Sequence, residues 1–185
     1  MAKWPPAAKP RPEMPPVVAL GAQSIDPSTR ALDTVVESFR STPMAVREAI
    51  TGLCARVIGA GLDEMDGMTL EILLAEATNN VVEHAYGNDG SGWILLEMDV
   101  LSDWIVCRLS DGGAAMPDGS VPQPQRTSES ASRGGEVSDL PEGGFGWSMI
   151  HELTTDLSYT REDDTNVLCF SLSVAPVPVA TAPVH

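Results

Sequence analysis

Lysine is nearly absent from this chain of 185 residues: Lys3 and Lys9 are its only two lysines, and both lie in a proline-rich N-terminal segment. The lack of lysine in the rest of the chain excludes two nucleotide sites that depend on it, the GxxxxGK[ST] phosphate-binding loop and the protein-kinase fold with its strand-borne lysine. Schiff-base chemistry is excluded as well, because it requires a lysine amine.

Positive charge is scarce in general. Eleven lysines and arginines stand against 26 aspartates and glutamates, which gives a formal net charge of -15. Such a surface repels phosphodiester backbones and anionic lipid headgroups, so neither nucleic acid nor a membrane surface is expected as a partner. No apolar run approaches the roughly 20 residues of a membrane helix, and the N-terminus lacks the apolar core of a signal peptide. We therefore expect a cytoplasmic protein.

Cysteine is also rare. Cys54, Cys107 and Cys169 are widely spaced in apolar surroundings, which is typical of reduced core residues and not of disulfides or metal ligands. Seven of the 15 prolines fall within the first 27 residues. We expect a flexible leader over residues 1–27, one folded domain over 28–175 and a flexible tail over 176–185.

The hydrophobic periodicity predicts an α+β domain. The expected elements are a strand at 33–39, helices at 43–58 and 64–86, strands at 93–100 and 104–110, a helix at 147–155, and strands at 157–161 and 167–174. Residues 112–146 hold eight of the 16 glycines and form a long connection. This order predicts a two-layer sandwich, with helices covering one face of a mostly antiparallel mixed sheet.

The second predicted helix carries a polar stripe. Its expected core side consists of Leu70, Leu74, Ala77, Val81 and Ala85. The opposite side carries Glu76, Asn79, Asn80, Glu83 and His84. A solvated face is the ordinary interpretation of such a stripe, but two successive asparagines cost a few tenths to about 1 kcal/mol in a helix, and a solvated face more often carries lysine and glutamate. The stripe therefore also indicates a site.

The residue types in the stripe fit metal and proton chemistry. Asn80 offers a neutral oxygen to a hard cation such as Mg²⁺. Glu76, one turn earlier, is placed to accept a proton from a nucleophile beside that ion. His84 either closes the rim of the pocket or hydrogen-bonds the turn at Gly87. We take Glu76 and Asn80 as the principal candidates.

Two glycine-rich segments accompany the stripe. Residues 111–113 read DGG and follow a strand, which places a carboxylate at a sheet end beside backbone that a planar ligand can approach. Residues 142–148 read EGGFGWS and open a helix, whose free N–H groups favour phosphate. A plain turn is the alternative for the first segment. The three elements in this order are a stronger signal than any one of them.

These residues resemble the GHKL ATP-binding superfamily. Residues 76–86 read EATNNVVEHAY and match the E-x-x-x-N-x-x-x-H-[AG]-Y form of the N box that is typical of the anti-sigma-factor serine/threonine kinases. The DGG of residues 111–113 resembles the first glycine box, and the GFG of residues 144–146 resembles the second. The resemblance spans residues 33–174. In two departures, Ala114 follows the first box where a glycine is usual, and Asp164 precedes the last strand's threonine where a glycine is common.

The resemblance implies a role for each matching residue. Glu76 would be the general base and Asn80 the Mg²⁺ ligand. Asp111 would accept a hydrogen bond from the adenine amino group, with Gly113 beside the base. The remaining nucleotide-binding candidates are Asn79, His84, Gly144, Gly146 and Ser148, and the loop at about 114–142 would be the ATP lid. Arg126 and Arg133 in that loop are the candidates for a cation aimed at phosphate, with a solvated loop charge as the equal alternative for each.

The implied function is that of an anti-sigma factor that is also an ATP- and Mg²⁺-dependent serine/threonine kinase. Its partners would be a sigma factor, which it binds, and an anti-anti-sigma antagonist, which it phosphorylates. Members of this family are often dimers, although no residue pattern here indicates a dimer interface. The rival hypothesis is a module that binds nucleotide, or only a protein partner, without transferring phosphate. Glu76 favours the enzyme, because a pure binder needs no base.

Overall fold

The computed structural model of the chain describes residues 31–123 and 145–177. The predicted leader at 1–27 and most of the predicted lid lie outside these residues. The helices and strands are β1 (Asp33–Arg40), α1 (Pro43–Gly59), α2 (Glu64–Asn80), a π-helix (Val81–Ala85), β2 (Trp93–Val100), β3 (Trp104–Asp111), a 3-10 turn (Pro117–Gly119), α3 (Phe145–Leu153), β4 (Thr155–Glu162) and β5 (Thr165–Ser173).

The five strands form one sheet in the order β1-β2-β3-β5-β4. Every pairing between the described strands is antiparallel. The sequence predicts a mostly antiparallel but mixed sheet, and no parallel pair is found among these strands. Alternate residues of the central strands are buried, for example Ile94, Leu96 and Met98 of β2. These side chains join residues of the helices in a common core, which confirms the predicted α+β fold with helices on one face.

Both long helices begin at side-chain caps that the sequence indicates. The Thr42 hydroxyl accepts a hydrogen bond from the Ala45 N–H (3.3 Å), and Pro43 occupies the first helical position of α1. The Asp63 carboxylate accepts from the Met65 N–H (2.8 Å) at the start of α2. Leu70, Leu74, Ala77 and Val81 are buried as the periodicity predicts, together with Leu73, Thr78 and Val82.

The end of the second helix differs from the predicted α-helix over 64–86. Regular α geometry stops at Asn80, and residues 81–85 form a π-helix, in which the Tyr86 N–H donates to the Val81 carbonyl five residues back (3.1 Å). Short π segments of this kind occur frequently at functional sites. The wider turn leaves Ala85 only half-buried, although a regular helix would place it on the core face.

The C-terminal elements are shifted slightly from their predicted positions. Helix α3 ends at Leu153 and not at residue 155, because Thr155 already belongs to β4 and the Thr154 hydroxyl donates back to the Ile150 carbonyl (2.5 Å). The predicted tail begins at 176, yet Val177 is buried and its N–H donates to the Ser102 carbonyl (2.7 Å). The packed chain therefore extends further than predicted. In the described part of the chain, no helix combines the length and apolar character needed to cross a membrane.

Candidate functional site

A cavity of about 560 Å³ opens between the end of the α2 helix, β3, β5 and α3. Its volume lies within the range of small-molecule sites, roughly 300–1,000 Å³. The polar lining comes mainly from the helix end and from the ends of β3 and β5, and includes Asn80, Glu83, His84, Asp111 and Asn166. The apolar and aromatic lining includes Val81, Leu109, Met116, Trp147, Tyr159 and Leu168.

Asn80 is the last α-helical residue before the π-helix and lines this cavity. Its amide nitrogen donates to the Glu76 carbonyl one turn earlier (2.8 Å). Because this bond uses the nitrogen, the amide oxygen is the atom oriented for a cation or a donor. The predicted metal ligand therefore has its oxygen available at the edge of the cavity.

Glu76 lies where α2 meets α3 and is not part of the cavity wall itself. A Cβ atom added at Gly146 would overlap the Glu76 Oε2 atom. Gly146, the second glycine of the GFG segment, thus allows the first turn of α3 to approach the Glu76 carboxylate closely. This contact brings together two candidates, Glu76 and Gly146, that are 70 residues apart in the sequence.

Asp111, at the end of β3, is 7% exposed and contributes its carboxylate to the cavity. Its Oδ1 atom accepts hydrogen bonds from the Gly113 N–H (2.8 Å) and the Asn166 amide (2.9 Å). Burial raises the pKa of Asp111 above its ordinary value, and these two hydrogen bonds together with the Arg161 charge offset part of the rise. Because the Oδ1 atom already accepts two hydrogen bonds, the Oδ2 atom is the one placed to accept a hydrogen bond from a ligand.

The π-helix supports the glycine segment after β3. The Ala114 N–H donates to the Ala85 carbonyl (2.9 Å). The Tyr86 hydroxyl accepts from the Gly112 N–H (2.9 Å) and donates to the Trp93 carbonyl (3.2 Å), so it joins this segment to β2. Ala85 and Tyr86, the last two residues of the motif, are therefore a structural support for residues 112–114.

Gly113 has the tightest surroundings of this segment. A Cβ atom there would lie 2.6 Å from the Ala85 carbonyl oxygen and 2.7 Å from the Ala85 Cβ, whereas a Cβ at Gly112 would meet only the Tyr86 hydroxyl at 3.9 Å. We expect Gly113→Ala to lower the free energy of unfolding by about 1–3 kcal/mol, because backbone must move to relieve the overlap. Denaturant unfolding of Gly113→Ala beside the control Gly112→Ala checks this, and equal stabilities would contradict it.

Other predicted residues lie apart from the cavity or outside the described residues. Asn79 lines a separate, smaller depression between α1 and α2, together with Arg47 and Glu71, so the structure does not bring it to the site. Neighbouring helix positions are about 100° apart, which directs Asn79 and Asn80 to different grooves. Ser148 lies in α3, is half-buried and is not part of the cavity lining. Gly144, Arg126 and Arg133 lie outside the described residues.

Sequence reasoning missed Asn166 and Tyr159 in the last hairpin. The Tyr159 hydroxyl donates to the Asn166 Oδ1 atom (2.6 Å) and accepts from the Met116 N–H (3.1 Å). Asparagine is depleted in strands, and Asn166 precedes the apolar run of β5 on the same face as Leu168 and Phe170. A polar residue at this position of a strand is a signal that the sequence offers for a site residue. Its role becomes visible only from the pairing of Asn166 with Asp111 across the sheet.

The side chains that could ligate a metal ion indicate which metal the site can hold. Within residues 31–123 and 145–177, no group of three histidines, cysteines, aspartates or glutamates is arranged to hold a metal ion. A protein-only cage for zinc or calcium is therefore not present in this part of the chain. A single amide oxygen from Asn80 fits Mg²⁺, which commonly takes one or two protein ligands and completes its shell with waters and substrate phosphates.

Comparisons with known proteins identify the family of the chain. The model of the histidine kinase-like ATPase domain family matches residues 39–172. The serine-protein kinase RsbW of Bacillus subtilis is 27% identical over 122 residues, which cover 66% of this chain and 72% of that protein. The serine-protein kinase RsbW of one Bacillus cereus strain is 25% identical over 123 residues, with the same coverage. That of Oceanobacillus iheyensis is 29% identical over 96 residues, or 50% of this chain and 57% of that protein.

Proposed function

Because the chain belongs to the family of histidine kinase-like ATPase domains, we propose that it is an ATP- and Mg²⁺-dependent serine/threonine protein kinase that also acts as an anti-sigma factor. The observation that carries this proposal is the arrangement of Glu76 and Asn80 one turn apart beside a cavity whose lining includes the buried polar residues Asp111 and Asn166. The names of the relatives, all serine-protein kinases, support the same reaction class.

The cavity suits an adenine nucleotide. The Asp111 Oδ2 atom, to which no donor among the described residues is bonded, would accept from the exocyclic amino group of the base. Leu109, Met116 and Leu168 provide apolar surface for the purine ring. The first turn of α3, which overlaps the second glycine box, would present N–H groups to the phosphates, with Gly146 and Ser148 in that turn.

Mg²⁺ would be held by the Asn80 oxygen together with phosphate oxygens and water. Bound there, the ion would neutralise charge that develops on the transferred phosphoryl group. Asn80 is held for this role by its bond to the Glu76 carbonyl, which fixes the amide plane. Positioning and charge neutralisation account for most of the catalysis in phosphoryl transfer.

Glu76 would be the general base. Its carboxylate would take the proton of the acceptor serine or threonine hydroxyl as the oxygen of that group attacks the terminal phosphorus. The bond from phosphorus to the leaving oxygen of ADP breaks as the new phosphoester forms. The proximity of Glu76 to Gly146 places this carboxylate next to the helix that would hold the phosphates.

The proposed partners are a sigma factor, which the protein would sequester from RNA polymerase in the cytoplasm, and an anti-anti-sigma antagonist, which it would phosphorylate. Phosphorylation adds a charge of about -1.5 to -2 to the antagonist surface, and this would weaken its contact with a protein as acidic as this one. The net charge of -15 thus supports a partner switch that depends on repulsion.

The test is phosphotransfer in a purified system. The full chain is incubated with γ-labelled ATP, Mg²⁺ and each small antagonist-type protein encoded in the same genome, and any labelled residue is mapped. We expect transfer to a serine or threonine of one antagonist and no transfer when Mg²⁺ is chelated. ATP binding without transfer to any antagonist would favour the rival function, a nucleotide-dependent binding module.

A further inference from the structure

Asn166 lies at the start of β5, is 4% exposed and is paired with Asp111 across the sheet. Its amide nitrogen donates to the Asp111 Oδ1 atom (2.9 Å) and to the Ala114 carbonyl (2.9 Å). Its amide oxygen accepts from the Tyr159 hydroxyl (2.6 Å) and from the Arg161 guanidinium (2.6 Å). Both donors and both acceptor positions of this side chain are therefore in use.

This bonding pattern fixes which way the amide faces. Tyr159 and Arg161 approach one end of it, and the Arg161 guanidinium, which only donates, requires the oxygen there. The nitrogen must then face Asp111. A buried carboxylate that accepts from this nitrogen and from the Gly113 N–H has one oxygen locked and the other directed at the cavity.

The same residues also hold the chain after β3. Arg161 donates to the Gly113 carbonyl (3.0 Å), Asn166 donates to the Ala114 carbonyl, and the Met116 N–H donates to Tyr159. The orientation of Asp111 and the path of residues 113–116 thus depend on one hydrogen-bonded cluster, which we call the Asn166 cluster (Asp111, Tyr159, Arg161 and Asn166).

We propose that Asn166 is a positioning residue that sets nucleobase selectivity: by donating to the Asp111 Oδ1 atom, it holds that carboxylate as an oriented hydrogen-bond acceptor, so that the cavity accepts a base with an exocyclic amino group and discriminates against a base with a carbonyl in that place. This inference rests on the proposed ATP-binding function. An ionised carboxylate only accepts hydrogen bonds, so an amino group satisfies it and a carbonyl oxygen repels it. Removing the Asn166 donor leaves Asp111 free to rotate or to take up a proton, and either change abolishes the distinction.

The experiment compares ATP with inosine triphosphate, which carries a carbonyl where adenine carries its amino group. Binding of each nucleotide with Mg²⁺ is measured by titration calorimetry for the wild type, Asn166→Leu and Asn166→Asp. We expect Asn166→Leu to weaken ATP binding at least tenfold and inosine triphosphate binding less than threefold, so that selectivity falls. A purely structural role would weaken both nucleotides equally.

Asn166→Asp gives a second readout that remains useful if the leucine variant does not fold. In the wild type, acid weakens ATP binding because it protonates Asp111. In the variant, two carboxylates face each other. Arg161, Tyr159 and Tyr86 lie beside them, and Glu83 and His84 are further charged or titratable groups in the lining of the same cavity. A proton shared by the pair restores a donor toward Asp111, so we expect ATP binding to strengthen as the pH falls from neutral.

The matched control is Asp164→Asn. It removes the exposed ion pair between Asp164 and Arg161 (3.2 Å) without touching Asn166, and asparagine suits the left-handed backbone of residue 164 (φ 63°). We expect wild-type selectivity in this control. If the wild type does not bind ATP, the proposed function fails and this inference with it. If the wild type selects ATP and Asn166→Leu selects it equally well, or Asn166→Asp keeps the wild-type pH profile, the inference alone is wrong.

Discussion

Phosphotransfer is expected to fall by roughly 10²–10⁴-fold when Glu76 is replaced by glutamine, while binding of nucleotide and of protein partners survives. Glutamine keeps the volume and hydrogen-bonding capacity of glutamate but not its basic carboxylate. Because Glu76 touches the first turn of α3 beside Gly146 and does not line the cavity, its loss of charge removes little that holds the base or sugar. The result separates a catalytic role from a binding role.

The control for Glu76→Gln is Glu71→Gln. Glu71 lies on the same helix, is exposed and lines the depression between α1 and α2, so its substitution makes the same change of charge away from the cavity. Phosphorylation rate and partner affinity are measured in the same preparations. If Glu76→Gln phosphorylates the antagonist at the wild-type rate, Glu76 is not the base, even if nucleotide still binds.

Asn80→Ala is expected to abolish Mg²⁺-dependent ATP binding and to leave the fold intact. The side chain lines the cavity and, among the residues that the structure describes, makes one hydrogen bond, to the Glu76 carbonyl. Its removal therefore takes away the oxygen proposed for Mg²⁺ without opening the core. Calorimetry with and without Mg²⁺ measures the binding, and thermal unfolding measures stability. Unchanged ATP affinity would remove Asn80 from the site.

Asn79→Ala is the informative comparison. The sequence places Asn79 in the polar stripe, but the structure places it in the other depression, so we expect its substitution to leave ATP binding at the wild-type level. A loss equal to that of Asn80→Ala would contradict the placement of Asn79. The two neighbouring asparagines thus provide variants matched in residue type whose side chains face different grooves.

The sequence predicts well those helices and strands whose residues follow a local pattern of caps and apolar spacing. Helix α1 was predicted from its Thr42 cap and the following apolar spacing, and β2 and β3 from their alternation. Residues 76–86 resemble the N box, and the match of the family model to residues 39–172 confirms the family that this resemblance implies. These features depend on contacts between residues that are close in the chain.

The features that the sequence did not predict depend on contacts between distant segments. The π-helix at 81–85 arises where the chain meets residues 112–114, and periodicity carries no signal of it. The role of Asn166 requires the register of β3 with β5, which brings residues 55 positions apart into hydrogen-bonding distance. The closeness of Glu76 to Gly146 likewise requires the packing of α2 on α3.

The π-helix makes its contribution to the cavity through the main chain. The Ala85 group that holds Ala114 is a carbonyl, which every amino acid possesses. Replacing the Ala85 side chain, where size permits, would therefore leave this bond in place. Only a change of chain length, or a proline at residue 114 that deletes the donor, acts on it directly. A scan of side chains would thus not detect a main-chain support on which the cavity depends.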